Sequence, residues 1–205
     1  FKKERARSHR FTSIPVKVNL SEVQGARFAV NLYRFPGVEI NARTFREYPF
    51  GPLTAHFLGY IGRISDKDQE KLKEEDRMAL YRGTTHIGKS GLENYYEQQL
   101  HGIPGYQEVE KDAHGDVVRV LREVPQQSGQ TLKLALDIRL QQEADRIIGN
   151  RRAAMVALDP QTGGVLAFIS KPSFDPNLFV DVFDSDTWKQ LNDDWQRPLL
   201  IRVTE

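Results

Sequence analysis

At 205 residues, 39% of them hydrophobic and 28% charged, the chain is long enough for one large or two small folded domains and too apolar to be disordered. A net charge of +1 gives no global attraction to nucleic acid, the lack of cysteine excludes a disulfide scaffold or a cysteine-ligated metal, and no apolar run of about 18 residues offers a membrane span. The charge is uneven, with ten Lys and Arg against three Asp and Glu in residues 1–46, a net of +7 that leaves −6 for the rest. Such a basic end suits an acidic partner or an anionic surface, or is a solvated helix end.

Taken in chain order, residues 1–10 read as a charged helix, and Phe11 to Leu20 alternates through Ile14, Val16 and Val18 as a strand. Asn19-x-x-Glu22 has the form of a capping box ahead of a helix carrying Val23, Ala26, Val30 and Tyr33, which Pro36-Gly37 ends. Val38 to Ala42 alternates as a second strand. Thr54 to Ile61 predicts a short apolar helix, Ser65-x-x-Asp68 caps a polar helix through about Glu75, and Ser90-x-x-Glu93 caps a third that Gly102 stops. Tyr106 to Lys111 and Val117 to Glu123 pair around Asp112-Ala-His-Gly115 as a hairpin. After the polar stretch Pro125 to Gly129 comes a strand, Leu132 to Leu136, then a helix, Ile138 to Ile148, with Asp137 as its N-cap. Ala154 to Leu158 and Val165 to Ile169 form a hairpin about Asp159-Pro-Gln-Thr-Gly-Gly164. The boundary falls near Pro125 to Gly129, giving regions 1–128 and 129–205. A start at Phe1-Lys-Lys-Glu-Arg, without Met, reads as a piece of a longer protein.

Few strings carry chemistry. Gly83-Thr-Thr-His-Ile-Gly-Lys-Ser90 matches the phosphate-loop pattern, but Glu74 to Arg82 is a poor buried strand to precede it, so a polar loop whose Ser90 caps a helix is the plainer reading. A phosphate-loop nucleotide-binding protein stands as the alternative function. Lys89-Ser90-Gly91 matches one element of serine β-lactam-binding enzymes by coincidence of order, because no Ser-x-x-Lys precedes it or occurs anywhere; Ser13 and Ser185 have Lys17 and Lys189 one residue too far. Five scattered histidines give no metal-ligand spacing, and Asp159, Asp175 and Asp181 read as turn and cap residues. No cofactor is indicated. The basic N-terminal module holds Phe11, Phe28, Phe35 and Phe45, more aromatics than a small core needs, which makes Phe28, Phe35, Arg43, Phe45 and Arg46 candidates for a partner-docking surface; the alternative is that the phenylalanines fill a core.

Three segments carry a family resemblance. Gly88-Lys-Ser-Gly-Leu-Glu-Asn-Tyr-Tyr-Glu-Gln-Gln-Leu-His-Gly-Ile-Pro-Gly105, Leu134-Ala-Leu-Asp-Ile-Arg-Leu-Gln-Gln142, and Ala157 to Ala167 with Pro172-Ser-Phe-Asp-Pro-Asn177 resemble, in the right order, elements of the class B penicillin-binding proteins, and residues 1–37 resemble the elongation-specific branch. The resemblance implies an α+β fold: a non-catalytic head and linker, or pedestal, over 1–128, followed by a linker helix and the first β-hairpin of a penicillin-binding transpeptidase domain. It implies a parent on the periplasmic side of the inner membrane that cross-links peptidoglycan stem peptides through a serine acyl-enzyme during cell elongation. The implied partners are a RodA-type glycosyltransferase and an MreC-type scaffold, with peptide substrate and β-lactams engaged only by the complete protein. After Arg197-Pro-Leu-Leu200 the chain departs from the family pattern, reading Ile-Arg-Val-Thr-Glu205. With no Ser-x-x-Lys, the 205-residue chain is expected to form no covalent adduct with a fluorescent penicillin on denaturing electrophoresis; a stoichiometric labelled band at its own mass would contradict this.

Overall fold

The structure is a computed structural model describing residues 16–17, 20–41, 45–112, 117–180 and 185–204. It divides into two compact units, one of residues 1–44 and 108–121, the other of residues 45–107 and 122–205.

In the first unit, α1 (Glu22–Val30) begins at Ser21, whose hydroxyl accepts from the Gln24 amide while the Gln24 side chain accepts from the Ser21 amide. The capping box thus sits two residues later than the one expected at Asn19. A 3-10 turn, Leu32–Arg34, follows, and Gly37 turns at φ +79°. Val38 to Asn41 is irregular, not a strand: the pattern alternates, but no neighbouring strand is present among the described residues to take its hydrogen bonds. The helix expected over 1–10 and most of the strand expected over 11–20 lie outside the described residues.

In the second unit, α2 (Ala55–Leu58) is shorter than expected because Gly59, at φ +77°, breaks it, and β1 (Ile61–Arg63) follows. The Ser65 capping box is present: Asp68 accepts from the Ser65 amide at 2.7 Å and opens α3 (Asp66–Glu74). β2 (His86–Gly88) pairs antiparallel with β1. The third expected helix is two, α4 (Gly91–Tyr95) and α5 (Glu97–His101), with Gly102 at φ +70° ending the second. β3 (Tyr106–Lys111) and β4 (Val117–Val124) form the expected hairpin, whose outer residues belong to the first unit.

Pro125 to Gly129 behaves less like a linker than its composition suggests. Gln127 makes a two-way backbone bridge with Ile103, 2.9 Å each way, and Gly129 lies so close to α5 that a Cβ would stand 2.0 Å from the Leu100 carbonyl oxygen. Leu132 to Leu136 is irregular where a strand was expected; its backbone runs on to Asp137, whose amide donates to Leu166. Asp137 then caps α6 (Ile138–Ile148) as the sequence suggests, accepting from Arg139 and Leu140.

β5 (Ala153–Leu158) and β6 (Val165–Lys171) form the last hairpin, with Asp159 accepting from Gln161 and Thr162 in the turn. The packing centres on two clusters. Ala144 and Ile148 of α6 meet Ile169 of β6, and Phe174 and Phe179 meet Ala55, with Tyr60 and with Leu191 of α7 (Ser185–Asp193) against them. Gln141, fully buried, satisfies its whole amide at the junction: it donates to the Leu53 and Phe168 carbonyls and accepts from the Phe168 amide at 2.8 Å. Lys171 donates to the Gly149 carbonyl at the C-terminus of α6 and pairs with Asp145.

The glycines separate two physical roles. Gly129→Ala is expected to lower stability by on the order of 3 kcal/mol, because its Cβ meets backbone rather than a yielding side chain. Gly25→Ala, in α1 with open space around it, is expected to raise stability by about 0.5–1 kcal/mol. Urea denaturation of the two variants checks both signs.

Candidate functional site

In the first unit α1 buries none of its residues. Phe28, half-buried, and Phe35, 46% exposed, stack at 5.4 Å between ring centroids and 27° between planes. Around them Gln24, Arg27, Asn31 and Arg34 complete a shallow groove of about 410 Å³. Val23, Val30 and Tyr33 of the same segment are also well exposed. An aromatic floor bordered by two guanidinium groups is the composition of an interface anchor. Phe11 and Arg43 lie outside the described residues.

The other two sequence candidates belong to the second unit. Phe45 is 48% exposed. Arg46 is held internally: Nε and Nη2 donate to the two carboxylate oxygens of Glu93, each at 2.7 Å. Glu93, only 6% exposed, also accepts from the Tyr48 hydroxyl at 3.2 Å, and that hydroxyl accepts from the Ile61 amide at 3.0 Å. The Tyr48 backbone is gripped in turn by one amide side chain, since Asn177 Oδ1 accepts from the Tyr48 N–H at 2.9 Å and Nδ2 donates to the Tyr48 carbonyl at 3.0 Å. Asp175 fixes Asn177 by accepting from its amide and side chain. One knot therefore ties the segment leaving residue 45, helix α4, strand β1 and the 3-10 turn Pro176–Phe179 after β6.

The sequence did not reveal this knot. Ser90 stands at the N-cap of α4 without a side-chain hydrogen bond, and the Glu93 carboxylate that would supply the reciprocal bond of a capping box is turned to Arg46 and Tyr48. Leu92 is only half-buried, and its neighbour Glu93 takes the buried position. An acidic residue in a helix full of aromatic and apolar neighbours was the available signal.

The phosphate-loop string has a structural use. Its Gly88 closes β2, its Gly88 amide donates to Glu97 at 2.8 Å, and the Lys89 ammonium pairs with Asp68. A Cβ on Gly88 would stand 2.2 Å from the Glu93 carbonyl oxygen, and one on Gly91, φ +59°, 2.6 Å from the Gly59 amide. The amide and ammonium that would cradle a phosphate are committed within the fold, and the glycines serve the crossing of two backbones. Among the described residues no group of acidic residues and histidines has a metal-binding arrangement, and no helix is long and apolar enough to cross a membrane.

This architecture, small antiparallel hairpins among short helices, has known counterparts. The profile of the penicillin-binding protein dimerisation domain matches residues 1–134, and the chain belongs to that family. It is 54% identical, over all 205 residues, to the peptidoglycan D,D-transpeptidase MrdA of Escherichia coli K12 and 46% identical to MrdA of Haemophilus influenzae, covering 32% of each. The chain thus spans about a third of the length of the curated relatives it matches. Among solved structures it is similar to penicillin-binding protein 2 of Helicobacter pylori in a complex with MreC, at TM-score 0.76 and 31% identity over 92% of this chain and 34% of that one. It is also similar to penicillin-binding protein 2 of Pseudomonas aeruginosa in complex with WCK 5153, at TM-score 0.66 and 37% identity over 80% of this chain and 32% of that one. The α+β pedestal expected from the sequence is the fold observed.

Burial, and then the Glu93 carboxylate, push the Tyr48 phenol well above its ordinary value of 10.0; burial and Glu97 do the same for Tyr81. Because both phenols keep their protons in the folded state after the unfolded chain has lost them, stability is full below pH 10 and falls as pH rises beyond it. Tyr48→Phe is expected to cost about 1–3 kcal/mol at neutral pH, leaving the Ile61 amide without its acceptor, and to flatten the alkaline fall. Urea titrations across alkaline pH test this; equal slopes in parent and variant would refute it.

Proposed function

We propose that the chain is the non-catalytic pedestal, with the opening hairpin of the transpeptidase domain, of a peptidoglycan D,D-transpeptidase that cross-links stem peptides during cell-wall elongation. Its setting is the periplasmic side of the inner membrane. Its own role is docking and orientation, and the acylating serine that meets peptide substrate and β-lactams belongs to the complete protein. The observation that carries this reading is the likeness, over 92% of the chain, to a penicillin-binding protein 2 held in complex with MreC. An MreC-type scaffold is accordingly the first partner, and a RodA-type glycosyltransferase the second.

The stacked Phe28 and Phe35, with Arg27 and Arg34 beside them, supply the anchors of the docking surface, and Arg43 and Phe45 extend the candidate set. Arg46 is set apart from it, since reversing its charge would strand the buried Glu93 carboxylate and unfold the second unit before it tested any interface. The Arg46 position therefore serves as the stability control.

Titration of the chain with the periplasmic part of an MreC-type scaffold is the test. The Phe28→Asp, Phe35→Asp double variant is expected to weaken association at least tenfold, roughly the loss of one interface hot spot, with its circular dichroism unchanged. Undiminished affinity in the folded variant removes the groove from the interface.

A further inference from the structure

The second unit carries a second concavity unrelated to the groove on α1. It is a cleft of about 380 Å³ between α3 and the α4–α5 pair. We propose that this cleft binds an uncharged, hydroxyl-rich sugar segment, a stretch of glycan strand, laid against Tyr95. The proposal rests on the reading of the chain as part of a peptidoglycan transpeptidase, whose stem peptides hang from such a strand.

The charged groups lining the cleft have partners within the fold, Lys71 the loosest of them, 68% exposed and 3.9 Å from Glu75. Asp68 holds the Lys89 ammonium, Glu75 holds Arg77 at 2.9 Å, and Glu97 accepts from the Tyr81 hydroxyl at 2.9 Å and the Gly88 amide at 2.8 Å. Arg77 also donates to Tyr81. Lys71 alone could turn to a phosphate or carboxylate, a single flexible ammonium rather than a bidentate clamp, and no group of acidic residues and histidines among the described residues is placed to hold a metal. The walls are too polar for a lipid or an apolar peptide.

What the cleft offers instead are neutral groups. The side-chain amides of Asn94, Gln98 and Gln99 line it, are exposed, and have no hydrogen-bond partner among the described residues. Each supplies both a donor and an acceptor, which a sugar hydroxyl can use from either side. Beside them Tyr95 is 80% exposed, yet its ring is not loose in space: Tyr96 meets it edge-on at 4.8 Å. A large aromatic ring held upright at the mouth of a cleft of planar amides gives a flat apolar face for the C–H side of a pyranose and polar partners for its hydroxyl rim. Neither feature helps stability, since the ring buries little and the amides bond nothing in the fold.

The experiment is a titration of the 205-residue chain with two probes: chitotetraose as an uncharged glycan, and the free stem pentapeptide. The glycan is expected to bind and the peptide not to. Tyr95→Ala should weaken glycan binding roughly three- to tenfold and Tyr95→Phe by less than about twofold, because the ring provides the contact. Neither variant should shift the thermal midpoint. Absence of glycan binding, binding carried by the peptide alone, or a Tyr95→Ala variant that binds glycan as the parent does would each overturn the proposal. Association with the MreC-type scaffold, measured on the same samples, separates the two readings: a chain that binds scaffold and not glycan loses only this inference, and one that binds glycan and not scaffold loses only the docking surface. Tyr95→Ala that impairs scaffold binding and spares glycan assigns the cleft to a protein and also overturns it.

Discussion

The second unit depends on how a buried carboxylate is satisfied. Glu93 lies where the fold has little water, so its charge must be met by the chain itself. Arg46 meets it with two parallel hydrogen bonds and Tyr48 with a third. Both donors sit on one short extended segment, and each can reach Glu93 only if that segment runs alongside α4. Once it does, the Tyr48 hydroxyl presents its lone pair to β1 and the Tyr48 backbone presents its N–H and C=O to Asn177. Desolvation of one acid thereby fixes the mutual placement of four segments far apart in the chain.

Polar pins of this kind do work that small cores leave undone. The two apolar clusters are of three buried residues each, backed by a few partly buried ones. Such clusters supply attraction but little register, since apolar contacts are not directional. Gln141 between α6 and β6, and Asn177 beside Tyr48, add direction: a primary amide that donates and accepts against a backbone has essentially one fit. The basic first unit is built otherwise, with α1 capped by its own Ser21 and Gln24 and its largest rings stacked on each other.

Local chemistry was legible in the sequence and long-range pairing was not. The Ser65 box, the Asp137 cap, the stop at Gly102 and both long hairpins follow from nearest-neighbour rules, and the structure has them. The expected strands at Val38 and Leu132 failed because alternation describes a strand only when another lies beside it. Ser90-x-x-Glu93 failed as a capping box because its acid had a stronger partner 47 residues earlier, a competition that no window of four residues contains. Phe28 and Phe35 were singled out by count and share one groove, whereas Arg46, 39% exposed, has its guanidinium paired with the buried Glu93. The phosphate-loop string, expected as a polar loop with Ser90 as a cap, holds strand β2 and a Ser90 without a cap bond, and its glycines answer the crowding at Gly88 and Gly91.

That crowding bears on how much weight a short consensus deserves. Glycines spaced around a lysine and a serine arise here from two main chains passing at contact distance, with the lysine drawn to a nearby helix cap. Clearance at such a crossing accounts for the glycines and makes no demand for the lysine or the serine. What sets such a string apart from a nucleotide cradle is the pair of elements that hold its letters: a strand of only three residues, antiparallel to its neighbour, delivers no amide nest to a helix of only five.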